Sequence, residues 1–125
     1  MLDFSPLKNA LNSLDKALAE PFNEFVRDAA IQRFEYCYEL CWKMLKRVLA
    51  EDQGIETVSV LSRRDLFRLA AEKQLITDPL IWFEFHKARN ETSHTYNETK
   101  ANEVYTATRE FALAARQLLD ALIEY

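Results

Sequence analysis

The sequence predicts an all-α protein built as an antiparallel bundle of four to five helices, and three observations predict it. Apolar residues recur at spacings of three and four along three long stretches. One Gly and three Pro in 125 residues leave few turn residues for a fold of many short strands. Eight Phe, five Tyr and two Trp supply bulky core material. The expectation is one domain over residues 1–125. A chain of this size buries roughly two-thirds of its unfolded surface, enough for a core without disulfides or metal.

Leu7, Leu11, Leu14 and Leu18 form one amphipathic stripe. Asp3 or Ser5 can cap its start, Pro6 suits an early helical position, and Pro21 marks the break that follows. Ile31, Phe34, Tyr38, Cys41, Leu45 and Val48 then define a long helix, with Ala30, Cys37 and Met44 as a second apolar row. Two rows predict a central helix packed on both flanks. Gly54 terminates it. The β-branched stretch Ile55 to Leu61 reads as an extended linker, or as a strand without a partner. Ser62 with Asp65 three residues on resembles a capping box for a short helix bearing Leu66, Leu69 and Ala70. Asp78-Pro79 opens a fourth helix over the aromatic-rich segment Leu80 to Asn90. The last helix starts near Thr99, with Val104, Thr108, Phe111, Ala115, Leu118 and Leu122 on one stripe.

Sixteen basic against twenty acidic residues give a net charge of −4. Non-specific affinity for nucleic acid comes largely from Lys and Arg, so any RNA contact must use a local patch. The runs Arg63, Arg64, Arg68, Lys73 and Lys43, Lys46, Arg47 are candidates, although solvated helix faces are the ordinary reading of both. Cys37 and Cys41 lie four apart on one helix face and read as buried thiols, because the two histidines fall far downstream of them. Met-Leu-Asp-Phe-Ser-Pro at the start lacks a basic stretch followed by an apolar run, and no apolar segment approaches membrane-spanning length. A cytoplasmic protein with no membrane association is expected.

A single glycine excludes a phosphate-binding loop and a dinucleotide fingerprint. No Asp-x-Asp or Glu-x-Glu pair offers the close carboxylates that commonly hold two metals for nucleotidyl transfer, and no His-Glu-x-x-His helix exists. Ser93-His94 is only a local adjacency, which seldom gives nucleophile and base the right geometry. The expectation is no metal site and no cofactor.

One polar constellation interrupts the apolar pattern. Residues 86 to 98 concentrate Arg89, Asn90, His94 and Tyr96 within eight positions. Arg can hold a phosphate through two parallel N–H bonds and stabilise charge developing on it. His can take a proton from a ribose 2′-hydroxyl or protonate a leaving oxygen. On a straight helix, however, Arg89 and His94 stand about 140° apart. Either the helix ends near Asn90 or Glu91, letting His94 fold back, or a two-fold dimer brings two copies together; the dimer is favoured. Taken as residues alone, a structural role is the commoner outcome. Arg89 could pair with Glu91 or Glu84, Asn90 could cap the helix C-terminus, and His94 with Tyr96 could pack over the last helix. His86 reads as a partly buried helical residue. Trp82, Phe83 and Phe85 read as core or dimer interface rather than a base-stacking platform.

At this motif the chain resembles HEPN domains. Arg89-Asn90-Glu91-Thr92-Ser93-His94 matches their Arg-x4-His signature, and its extension through Tyr96 matches the Arg-x4-His-x-Tyr form of HEPN toxins paired with minimal nucleotidyltransferases. Ile31-Gln32-Arg33-Phe34-Glu35 and Glu39-Leu40-Cys41-Trp42-Lys43 look like the second helix of the nucleotidyltransferase substrate-binding branch, and Trp82 also fits it. The resemblance implies a dimerising helical bundle in complex with a minimal nucleotidyltransferase, the two forming a toxin–antitoxin pair. It implies a metal-independent ribonuclease acting on RNA, with Arg89 on the scissile phosphate, His94 as acid or base and Asn90 orienting substrate or His94. Tyr96 would accept AMP from the partner, which neutralises the toxin. Arg33, Trp42, Lys43 and Trp82 are carried over as substrate-binding candidates. The branch also admits an alternative, a non-catalytic subunit that binds substrate or nucleotide for its partner.

Overall fold

The computed structural model describes residues 2–125, and among them every regular element is helical. Helix α1 spans Ser5–Ala19, α2 Glu24–Gln53, α3 Ile55–Ser59, α4 Arg63–Glu72, α5 Pro79–Glu91 and α6 Glu98–Glu124; a single 3₁₀ turn, Thr92–His94, follows α5. The all-α bundle expected from periodicity is what forms, with one helix more than the pattern predicted.

Side chains cap the starts of α2, α4, α5 and α6, while α1 has Phe4 at its cap position. Asp3 Oδ1 accepts from Ser5 N at 2.9 Å, and Asn23 accepts from Phe25 N and Val26 N. Ser62 Oγ accepts from Asp65 N at 3.1 Å, Asp78 from Leu80 N at 2.9 Å, and Asn97 from Lys100 N at 3.1 Å. Gly54, at φ 93°, ends α2 in a conformation that L side chains avoid. At the end of α4, Gln74 takes φ 63° while Leu75 N reaches back to Ala70 O, a left-handed helix stop without glycine.

The extended linker expected over Ile55 to Leu61 is corrected to the short helix α3. Its β-branched residues favour strand, but a turn of helix buries Val58 against α2, and no neighbouring strand competes for the backbone. Tertiary burial outweighs local propensity here.

Helix α2 is central and packs against each of the other five helices. Its two apolar rows, Ile31 to Val48 and Ala30 to Met44, are buried throughout. Phe111 of α6 sits at the middle of an aromatic core. Its ring lies 5.0 Å from Phe34, 5.4 Å from Phe85 and 5.8 Å from Trp82, each edge-on. Cys37 and Cys41 are buried free thiols; burial pushes Cys37 up to about 12 and Cys41 well above its ordinary value. Among the described residues, no helix is long and apolar enough to cross a membrane.

Candidate functional site

The site grows from the C-terminal end of α5. Arg89, on the last turn, places Nε 3.3 Å from Glu39 Oε1 of α2. That Nε is buried and makes no well-aligned hydrogen bond, so the ion pair holds it by charge alone. Arg63, from the first turn of α4, brings Nη1 to 4.0 Å from the same Glu39 oxygen. Its guanidinium lies over the Trp42 ring at 4.4 Å and donates to the Tyr38 hydroxyl at 3.4 Å. The Tyr38 hydroxyl in turn meets His86 Nδ1 at 3.0 Å. Five side chains from α2, α4 and α5 thus form one connected polar cluster.

Burial shifts the titration of both rings in it. Tyr38 is pushed up to about 12 by desolvation, which the hydrogen bond and charge of Arg63 only partly oppose. His86 is held below its ordinary value, first by desolvation and then by Arg63, with Glu39 opposing. Phenol and imidazole are both neutral at pH 7.

Past Glu91 the chain tightens into the 3₁₀ turn. Thr92 Oγ1 shares its hydrogen between Arg89 O at 2.8 Å and Glu35 Oε2 at 3.2 Å, which ties the turn to α2. Lys100 reaches Glu91 at 3.6 Å, and Asn97 N donates to His94 O at 3.1 Å. Beyond these anchors His94 and Tyr96 project into solvent, their rings edge to face with centroids 6.3 Å apart. Tyr96 is 87 % exposed.

A model of the family described as nucleotidyltransferase substrate binding protein like matches residues 2–124. The chain belongs to that family. It is 38% identical over 94 residues to a Haemophilus influenzae protein named probable ribonuclease HepT, an alignment that covers 74% of this chain and 64% of the relative. Among solved structures it matches a Haemophilus influenzae protein described as revealing the fold of a substrate binding domain of a nucleotidyltransferase. That match has TM-score 0.89 and 31% identity, covering 96% of this chain and 98% of the other. A Thermus thermophilus protein matches with TM-score 0.82 and 35% identity, over 93% and 98% of the two chains. The family expected from the Arg-x4-His-x-Tyr segment and the α2 string is therefore the right one, as is its helical fold.

Within this family member the motif residues divide between two places. Arg89 faces α2 and is paired with Glu39, rather than with the Glu84 or Glu91 considered from sequence. The helix does end at Glu91, but no hydrogen bond or ion pair joins Arg89 to His94 among the described residues. Asn90 is exposed and is not the cap; Thr92 takes that position, and the Asn90 carbonyl accepts from Ser93 Oγ at 3.5 Å.

The four substrate-binding candidates scatter. Arg33 Nη1 donates to Ser13 O at 2.7 Å and pins α1 to α2. Trp42 is half-buried, one face covered by Arg63 and its edge against Phe67. Lys43 is exposed beside a shallow groove of about 220 Å³ with Lys46, Arg47 and Val58. Trp82 is a core residue, 2 % exposed and packed among Phe67, Phe85 and Phe111, and it reaches the surface only at the floor of a cavity of about 270 Å³ shared with Ile76 and Ile81. Arg63 is likewise more than a solvated cation, since it is half-buried inside the cluster, whereas Arg64 and Arg68 lie over the Phe83 ring at the surface. Sequence reasoning missed Glu39, Tyr38 and the contribution of His86. The available signal was Glu35 and Glu39, one turn apart on α2 and half-buried on the flank of its apolar rows.

Proposed function

We propose that this chain is the RNA-cleaving partner of a minimal nucleotidyltransferase: a metal-independent HEPN ribonuclease toxin, working as a homodimer and silenced by AMP addition to Tyr96. The observation that carries this reading is the placement of Tyr96, a phenol 87 % exposed and edge-on to His94, on a segment anchored to α2 through Thr92 and Glu35. An acceptor hydroxyl must be open to an incoming enzyme, and its modification must reach the cleavage site. Tyr96 meets both demands.

In cleavage His94 takes the proton of a ribose 2′-hydroxyl, and the freed oxygen attacks the neighbouring phosphorus. The new 2′-O–P bond forms as the P–O5′ bond breaks, leaving a 2′,3′-cyclic phosphate. A second copy of the imidazole, supplied by the two-fold partner, protonates the departing 5′-oxygen. Arg89 neutralises charge on the phosphate, and Asn90 orients the substrate or His94. In silencing, the Tyr96 oxygen attacks the α-phosphorus of ATP held by the nucleotidyltransferase, pyrophosphate leaves and the phenol proton passes to solvent. The adenylyl group then stands two residues from His94, a bulky anion that blocks the cleft and competes for Arg89. The name of the Haemophilus influenzae relative, probable ribonuclease HepT, supports the ribonuclease part of this reading.

A second reading, a non-catalytic substrate- or nucleotide-binding subunit of a two-component nucleotidyltransferase, draws on a different observation. Arg89 is paired with Glu39, and among the described residues no hydrogen bond or ion pair joins it to His94. The deciding experiment expresses the chain alone and beside its nucleotidyltransferase. Chelator-resistant cleavage with cyclic phosphate ends, abolished in His94→Ala with unchanged helicity, and a mass gain in multiples of AMP on Tyr96 are expected. Intact RNA, unmodified Tyr96 and ligand binding that weakens in Arg89→Ala overturn the first reading in favour of the second.

A further inference from the structure

We infer that Arg63 and His86 extend the phosphate site of Arg89 into a subsite at the junction of α2, α4 and α5, on the side away from the exposed His94 and Tyr96. The inference rests on the proposed function only in taking Arg89 as a phosphate ligand.

The hydrogen-bond chain within the cluster dictates what it presents. An Arg N–H only donates, so the Tyr38 oxygen accepts from Arg63 at 3.4 Å. Tyr38 is fully buried, and its own hydroxyl hydrogen has one acceptor in reach among the described residues, His86 Nδ1 at 3.0 Å. A buried hydroxyl left without an acceptor is costly, so Nδ1 is the unprotonated nitrogen. The neutral imidazole therefore carries its proton on Nε2. That nitrogen has no protein partner and is not shut away from solvent. The relay thus fixes an outward N–H donor, where an unconstrained histidine offers either tautomer.

His86 and Arg89 are three residues apart on α5 and so lie on the same helix face. Arg63 enters from α4 with its guanidinium oriented by the Trp42 ring and the Tyr38 oxygen. No hydrogen bond among the described residues occupies the terminal nitrogens of Arg89. Two guanidinium groups share a single carboxylate, Glu39, so the cluster keeps one uncompensated positive charge, with Arg64 close by. A rigid imidazole N–H beside two partly neutralised arginines suits a tetrahedral oxyanion with several acceptor oxygens. A structural ion pair needs neither the second arginine nor the oriented histidine.

The phosphate could belong to a polynucleotide or to a free nucleotide, and the test separates them. Binding of a 2′-O-methylated oligoribonucleotide, which cannot be cleaved, is compared with that of AMP and inorganic phosphate in the wild type, Arg63→Gln and His86→Gln. Ring resonances of His86 are followed by NMR. Expected are a shift of the His86 ring signals on ligand addition and a loss of about tenfold in affinity in Arg63→Gln and in His86→Gln. Binding confined to the oligonucleotide marks a second polynucleotide phosphate; binding of AMP and phosphate alike marks a mononucleotide site. Thermal melts verify folding, and Arg63→Lys, which keeps the charge, recovers part of the affinity. Unmoved His86 signals, or folded variants that bind as the wild type does, overturn the subsite. Cleavage that survives His94→Ala overturns the proposed ribonuclease chemistry and leaves the subsite standing.

Discussion

Glu39 Oε1 stands 3.3 Å from Arg89 Nε, and the same oxygen serves Arg63 at 4.0 Å. The central helix therefore carries the counter-charge for the arginine of the Arg-x4-His motif. With side chains about a third exposed, at 31% and 33%, the Glu39–Arg89 pair contributes little to stability, about 0–1 kcal/mol. Its consequence is for binding. Glu39→Gln leaves the melting temperature nearly unchanged and frees two guanidinium groups from one competing anion. Oligoribonucleotide affinity then rises several-fold at low salt, measured by calorimetry. A weaker complex would mean that Glu39 chiefly orients Arg89 and that its charge is secondary.

Thr92 is the tether of the 3₁₀ turn. Its hydroxyl bridges Arg89 O and Glu35 Oε2, and valine keeps the shape while deleting both bonds. Thr92→Val is expected to cost about 1 kcal/mol. Amide exchange over residues 92–97 should rise well beyond any change in the core of α2. Uniform exchange across both regions would show that other contacts hold the turn.

Periodicity revealed α1, α2 and α6 because each turns a continuous apolar row toward one core, with Phe111 at its middle. It missed α3 because five residues hold too little pattern, and because burying Val58 depends on α2 being present. The Arg-x4-His-x-Tyr segment was legible as residues, and its neighbourhood was not. Glu39 and Arg89 meet across nearly half the chain, and spacing cannot pair residues so far apart. Tyr38 was read correctly as part of an apolar stripe, yet its hydroxyl orders the polar cluster. Trp82 shows the opposite failure: a residue carried by resemblance toward a ligand packs in the core.

Trp82 and Tyr96 consequently separate stability from function. Trp82→Ala removes a ring lodged between Phe67, Phe85 and Phe111 and should cost about 3–5 kcal/mol in denaturant unfolding. Tyr96→Phe deletes an exposed hydroxyl that has no hydrogen-bond partner among the described residues, and should fall within about 0.5 kcal/mol of the wild type. The same variant should abolish AMP addition. Continued modification at this site would remove Tyr96 from the acceptor role.

His86 gives stability a pH dependence of definite sign. Desolvation depresses its pKa below 6.5; Arg63, Arg89 and Arg64 push the same way, and Glu39 opposes them. The unfolded chain therefore binds the proton first as pH falls. The contribution of the neutral ring is intact above 6.5 and is lost as pH drops from there through the lower folded value. Because the ring is only half-buried, solvent screening keeps the effect modest. Between pH 7 and pH 5 the melting temperature of the wild type should fall more steeply than that of His86→Gln. The difference between the two curves reads the contribution of the imidazole. Parallel curves would mean that His86 is protonated as readily in the folded chain as in the unfolded one, and that its Nδ1 is not held as the acceptor for the Tyr38 hydroxyl.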